Sequence, residues 1–493
     1  MKKVENKIML ITYANTMGEN LSALDRVLAR HFRGVFGGIH VLPFFPSSGD
    51  RGFAVIHYDD VDPAFGTWED IDRLGEQYYL MADFMLNHVS IRCAEFQDYM
   101  KRGEDSPYKD MFNHWDKFWP NGDPTEAELE VMYRRKEKGP YFEFVRDDGK
   151  RVRLWNTFFQ EQVDIDPYSK ATQDYYERNL GLLAKHVPLI RFDAFAYASK
   201  KPGTSCFFVE PEIWDVLDIG MKPLKATGTE MLPEIHENYT IQLKMADKGY
   251  WVYDFALPML LLHALLTGRT DRLIHWLNIC PRKQFTTLDT HDGIGVVDVA
   301  GLLTDEEIDL VRERVDEITS PAQPYMKFPS MIKLSGKQAQ RYQLMCSYYS
   351  ALGEDDAAYL LARVVQFFAP GIPQVYYVGL LAGENDIEAL KRGEEPRSIN
   401  RHGYTEAEIE QAVHKPMLQV LYQIMRFRNT HSAFNGAVSI EPDHADGKLT
   451  VVWQNGLQRA TLHADFASKA FRITATDGTN ERVFFSQGED VHG

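Results

Sequence analysis

Three short stretches of this chain run from apolar residues into a carboxylate: Arg191-Phe192-Asp193-Ala194-Phe195, Leu232-Pro233-Glu234-Ile235-His236 and Leu288-Asp289-Thr290-His291-Asp292. A strand that ends in an acid can hold that acid at the mouth of a parallel barrel. Acids held in this way suit retaining chemistry on a glycoside. One attacks the anomeric carbon, one protonates the leaving oxygen and one steadies an oxocarbenium-like transition state. Asp193 follows Arg191 by two, so on an extended strand both point to one face, and the guanidinium is expected to keep the carboxylate ionised. Glu234 follows Met231-Leu232-Pro233, an apolar setting of the kind that keeps a general acid protonated. His291-Asp292 sets a donor beside a fixed anion, and Asp83-Phe84-Met85-Leu86-Asn87-His88 adds a fourth polar cluster. Each cluster alone reads equally as a salt bridge, a helix cap or a turn pair. Their shared position at the ends of apolar runs argues for a single site.

Those runs must be strands. Apolar runs of strand type fall at Ile8-Tyr13, Gly38-Leu42, Tyr79-Leu86, Pro188-Phe192, Glu230-Ile235, Trp251-Ala256, Phe285-Asp289 and Gln374-Tyr377, with amphipathic helical stretches between most of them. Such alternation predicts parallel βα units closing into a (β/α)8 TIM barrel. About eighty residues separate the third and fourth runs, far more than a βα connection needs, and a second excess follows the seventh. Past a helix around Met417-Arg428, short alternating runs with turns such as Asn455-Gly456 predict a small antiparallel β domain. The expected organisation is a catalytic α/β barrel at 1–85, 167–291 and 354–433. Inserted mouth domains occupy 86–166 and 292–353, and a C-terminal antiparallel β domain spans 434–493.

Composition narrows the partners. A chain of 493 residues with 44% apolar content can bury a large core. A net charge of −17 disfavours nucleic acid and anionic membranes. The cysteines at 93, 206, 280 and 346 are too scattered for a CxxC metal site or a disulfide framework. Ile8-Tyr13 is too short for a signal-peptide core, and no apolar run approaches a membrane span. A cytoplasmic protein is expected, with no cofactor and no metal: there is no HExxH, no EF-hand loop, no nucleotide-binding glycine pattern and no lysine context for pyridoxal phosphate.

The clusters resemble the conserved regions of the α-amylase superfamily (glycoside hydrolase family 13) over nearly the whole chain, and within it the sucrose phosphorylase subfamily. That resemblance is carried by Gly203-Thr204-Ser205-Cys206-Phe207, Tyr253-Asp254-Phe255-Ala256-Leu257-Pro258, Leu288 to Gly295, Pro373 to Gly379 and Ile399-Asn400-Arg401-His402. It implies that Asp193 is the nucleophile forming a β-glucosyl ester, Glu234 the general acid and base, and Asp292 the transition-state stabiliser. His88 and His291 would hold glucose hydroxyls, Arg191 would orient the nucleophile, and Asp50 and Arg401 would grip the far end of the ring. Phe53 would stack on the sugar, with Tyr197, Phe207 and Gln343 at the pocket mouth.

A phosphorylase must let phosphate outcompete water, which calls for positive groups near the acceptor. The first insertion offers Tyr133-Arg134-Arg135-Lys136-Glu137-Lys138 and the second Lys333, Lys337 and Arg341 before Tyr342-Gln343. In sucrose phosphorylases a proline typically stands where this chain has Arg135, and an apolar residue where it has Arg341. Both differences resemble the sucrose 6F-phosphate phosphorylase branch, so Arg135, Lys136, Arg341 and Tyr342 are expected to hold an acceptor phosphate. Arg341 departs from that branch, where a histidine is expected. The activity implied is double-displacement cleavage of sucrose 6F-phosphate by inorganic phosphate to α-glucose 1-phosphate and fructose 6-phosphate. The alternatives are phosphorolysis of plain sucrose, glucosylglycerol or glucosylglycerate, and, less favoured by the full set of carboxylates, a non-enzymatic scaffold. The expected state is a monomer or homodimer.

Overall fold

The computed structural model describes residues 2–136, 139–325, 331–332, 340–441, 447–477 and 480–488, with the backbone alone at 331, 332, 340, 341 and 477. Eight parallel strands form one sheet: β1 (Met9–Thr12), β2 (Gly38–Val41), β3 (Tyr79–Met85), β4 (Leu189–Asp193), β5 (Glu230–Pro233), β6 (Val252–Asp254), β7 (Gln284–Thr286) and β8 (Ile372–Tyr376). Pairing runs from β6 through β7, β8, β1, β2, β3 and β4 to β5, and β5 and β6 complete a nearly closed barrel by contact rather than by a ladder. All eight sequence-read runs are strands, most of them a residue or two shorter than expected. The alternation of period two explains why a site forms at one end. On β4, Leu189, Arg191 and Asp193 climb the inner face, and on β3, Met81 and Asp83 do the same. The lower layer is apolar, with Met9, Met81, Leu189, Leu232, Tyr253 and Phe285 forming a buried cluster inside the barrel. The upper layer is charged. Because β3 and β4 pair with Asp83 opposite Arg191, the register itself makes an ion pair beneath the mouth.

Both long insertions leave from strand C-terminal ends, and a short antiparallel ladder closes the base of each. His88–Ser90 pairs with Gln162–Asp164, and Ile294–Gly295 with Gln343–Leu344. These stems carry His88 and Gln343 to the mouth region. Five antiparallel strands, β9 (Ala437–Glu441), β10 (Lys448–Asn455), β11 (Gln458–Asp465), β12 (Ala470–Asp477) and β13 (Asn480–Gln487), form the C-terminal sheet in sequence order. The four cysteines are buried and none forms a disulfide. Among the described residues no helix is long and apolar enough to cross a membrane.

Candidate active site

A cavity of about 780 Å³ opens above the strand ends. Asp193, Glu234 and Asp292 line it together with Asp50, Phe53, His88 and His291. Asp193 ends β4, and Ala194 immediately turns into the left-handed region (φ 54°), so the chain leaves sideways and the carboxyl stays at the strand tip. Arg191 lies beneath, almost fully buried, and its Nη1 donates to Asp193 Oδ1 at 2.9 Å as the Arg-x-Asp spacing predicts. That guanidinium is shared. It also binds Asp83 and stands 3.6 Å from Glu234 Oε1, and Asp83 is held in turn by His40 at 2.7 Å. Two sequence expectations are corrected here. Burial, with Glu234, Asp83 and Asp292 nearby, pushes Asp193 above the ordinary carboxylate range despite Arg191, because one cation divides its charge among several acids. Glu234 is not in apolar surroundings either, since Arg191 and, at 3.7 Å, His236 Nε2 flank its Oε1. Its apolar chain neighbours Met231 and Leu232 are buried away from the mouth.

Asp292 is driven the opposite way. Burial would raise its pKa, but Arg397, His291, Arg401 and His236 outweigh this and hold it well below the usual range, a fixed anion. Arg397 Nη2 lies 3.2 Å from its Oδ1. Burial lowers His88, and burial with Arg191 and Arg401 lowers His291, so both rings are neutral near pH 7 and each can donate and accept. Among the described residues His88 Nδ1, His291 Nδ1 and Asp50 Oδ1 have no hydrogen-bond partner, which suits a ligand rich in hydroxyls. Phe53 lies parallel to His291, centroids 5.0 Å apart, and forms part of the wall. Asp50, Arg51 and Gly52 all have positive φ, and a Cβ at Gly52 would sit 2.6 Å from the Pro43 carbonyl oxygen, so this sharp loop requires the glycine. Below His88, the nearly buried Lys200 Nζ meets an oxygen cage of Asn87 Oδ1 (2.9 Å), the Tyr197 carbonyl (2.6 Å) and Asp164 Oδ2 (2.9 Å), tying the first insertion to β3 and β4.

The mouth is aromatic and basic. Arg135 lies within 4.8 to 5.6 Å of the rings of Tyr342, Phe158 and Tyr197, and its Nε donates to Tyr197 Oη at 2.8 Å. It has no carboxylate partner among the described residues. Lys136 donates to the Asn156 carbonyl and rests on Phe142, and burial pushes it down to about 8. Phe207 stacks on Tyr133 beside Tyr197. Arg135, Lys136, Tyr197, Phe207 and Tyr342 all line the cavity. Gln343 and Arg401 sit one layer back instead: stem pairing buries Gln343 behind His236, and Arg401 donates to the His291 carbonyl and Glu395. Glu137, Lys138, Lys333, Lys337 and the side chain of Arg341 lie outside the described residues. The sequence reading missed His236 and Arg397. His236 carried a signal, two residues beyond Glu234. Glu234, His236 and Asp292 each bring one potential ligand atom within 4.8 Å of the others; His236 turns Nε2 toward Glu234, while its Nδ1 is engaged by Asp298 at 3.1 Å.

Comparison with known proteins agrees with this geometry. Residues 34–204 match the Alpha-amylase family, described as the alpha amylase catalytic domain. The chain is 47% identical to a sucrose phosphorylase of Streptococcus mutans, over 96% of this chain and 98% of that protein. It is 42% identical to a sucrose 6(F)-phosphate phosphorylase of Thermoanaerobacterium thermosaccharolyticum, over 99% of each. Among solved structures, the sucrose 6F-phosphate phosphorylase from Thermoanaerobacter thermosaccharolyticum superposes with a TM-score of 0.93 at 40% identity, covering 98% of this chain and 99% of that one. With its barrel, its acid-lined cavity and these full-length likenesses, the chain belongs to the sucrose phosphorylase subfamily of the α-amylase family and is a hexosyl-transferring enzyme.

Proposed function

We propose that the protein cleaves sucrose 6F-phosphate with inorganic phosphate, giving α-glucose 1-phosphate and fructose 6-phosphate. In the first displacement, the Asp193 carboxylate attacks the anomeric carbon while the glycosidic C–O bond breaks and Glu234 passes its proton to the leaving oxygen. Asp292, held anionic, faces the positive charge that develops on the ring. In the second, a phosphate oxygen attacks the same carbon, the ester bond to Asp193 breaks, and Glu234 takes up the proton that phosphate gives up. Two inversions leave the configuration retained. His88, His291 and Asp50 supply hydrogen-bonding groups for one glucosyl unit, Phe53 its wall, and Arg191, Arg401 and Gln343 the layer that holds these in place.

The observation that carries the choice of substrate is Arg135, a caged guanidinium at the mouth with no carboxylate partner among the described residues. Holding a buried cation without a counter-ion is costly unless an anion arrives. Lys136 and Tyr342 stand beside it, and Arg341 is proposed to join them. The likeness to a sucrose phosphorylase at 47% identity favours a second reading, phosphorolysis of plain sucrose, in which the same cation serves inorganic phosphate. Release of glucose 1-phosphate, measured side by side from sucrose 6F-phosphate, sucrose, glucosylglycerol and glucosylglycerate, separates the readings. A preference for sucrose 6F-phosphate supports the first, and a preference for any of the other three donors overturns it.

A further inference from the structure

His236 lines the cavity, yet its ring is fixed from outside it. Nδ1 lies 3.1 Å from Oδ2 of Asp298, which sits in the second insertion just beyond the Ile294–Gly295 stem and is almost fully buried. The imidazole lies flat on Phe255, centroids 3.8 Å apart and planes 14° from parallel. Gly295 makes the pairing possible: a Cβ there would come within 2.0 Å of Asp298 Oδ2 and 3.0 Å of His236 Nδ1. The other nitrogen, Nε2, faces Glu234 Oε1 at 3.7 Å and Gln343 Nε2 at 3.5 Å. Burial would strip the ring of its second proton, but Asp298, Glu234 and Asp292 outweigh it and hold His236 above its ordinary pKa.

We propose that Asp298 is a positioning residue for glucosyl transfer: by accepting the Nδ1 proton of His236 it aims Nε2–H at Glu234, so that the carboxylate left after Glu234 protonates the leaving oxygen is met by a cation. The step moves one proton, from Glu234 to the departing oxygen, while His236 keeps both of its own. The inference rests on Glu234 being the general acid.

The test compares two donors. Cleavage of a disaccharide needs the leaving oxygen protonated, whereas α-glucosyl fluoride departs with little help from an acid. Asp298→Asn keeps the shape and removes the charge. General acid catalysis is worth roughly 10² to 10⁴ in rate, and weakening it through one neighbour should cost on the order of ten- to a hundredfold in kcat/KM for the disaccharide, with the fluoride little changed. Equal losses on both donors, or no loss on either, would overturn the proposal, because a packing defect does not discriminate leaving groups. Glu234→Gln calibrates the assay. If it slows both donors alike, the acid assignment itself fails; if it spares the fluoride while Asp298→Asn does not, only the role of Asp298 fails. Should Asp298→Asn not fold, Gly295→Ala displaces the same pair from the opposite side and must show the same discrimination.

Discussion

Replacing Arg135 with alanine tests how the acceptor is chosen. Its Nε is committed to Tyr197, which leaves the two Nη groups to grip an incoming phosphate with parallel charge-assisted hydrogen bonds. Such a contact is worth about 1.5 to 3 kcal/mol, equivalent to roughly ten- to a hundredfold in kcat/KM. The substitution also opens a hole between Phe158, Tyr197 and Tyr342. That packing loss burdens every substrate equally, so the informative quantity is a ratio: kcat/KM for sucrose 6F-phosphate over that for sucrose, in the parent, in Arg135→Ala and in Arg135→Lys. The ratio should fall by about one to two orders of magnitude in the alanine variant, the full value of the lost contact. It should fall by less in the lysine variant, which keeps the charge but loses the fork. The proposed glucosyl subsite, Asp50, His88 and His291, lies on other segments of the cavity lining, so sucrose itself should respond only to the packing term. If both substrates slow by the same factor, Arg135 serves inorganic phosphate or the architecture of the mouth, and the reasoning from its lack of a carboxylate partner among the described residues is wrong.

Asp193→Asn should abolish formation of the glucosyl-enzyme, a barrier increase on the order of several kcal/mol, checked by mass spectrometry after reaction with a fluorosugar; a covalent adduct in the variant would remove Asp193 as nucleophile. If Asp193 is the nucleophile it must be ionised to attack, and with its pKa raised kcat/KM for α-glucosyl fluoride should fall on the acid side with a midpoint above the ordinary aspartate value, while Asp292, held low, stays anionic throughout. A pH–rate profile that is flat down to the usual carboxylate range would contradict this. Lys200→Met should lower stability by about 3 to 5 kcal/mol in urea unfolding by leaving Asp164 buried without its cation, and Lys200→Met combined with Asp164→Asn should recover part of the loss.

The barrel was legible because its strands are long apolar runs whose ends carry acids, and local spacing is enough to see that. Arg191 and Asp193 were likewise legible, since residues two apart on a strand share a face. Charge balance was not. The ionisation of Asp193 depends on Asp83 and Glu234, which arrive from neighbouring strands through register, and no stretch of chain around Arg191 reports how many acids will claim it. Glu234 misled for a related reason: the polarity of its neighbours along the chain differs from that of its neighbours in space. Asp298 was invisible because it meets His236 only through the pairing of Gly295 with Gln343, a contact across the second insertion. Arg397 lies four residues before Arg401, inside a run of charge that also reads as solvated surface, and only the fold turns it toward Asp292.

The oxygen cage around Lys200 has a consequence for how the pocket is kept assembled. Three oxygens from three separate segments converge on one ammonium, the arrangement by which a dissolved metal ion would pin a loop to a barrel. A dissolved ion must be supplied at a concentration above its dissociation constant and can be taken away by a chelator. An ammonium on the chain's own side chain has fixed stoichiometry, cannot be diluted, and meets its cage once the loop after β4, the end of β3 and the stem of the first insertion come together. The cost is chemical rather than osmotic: the pin is a primary amine, so acylation during folding would unmake it, whereas changes in the ionic composition of the surroundings would leave it in place.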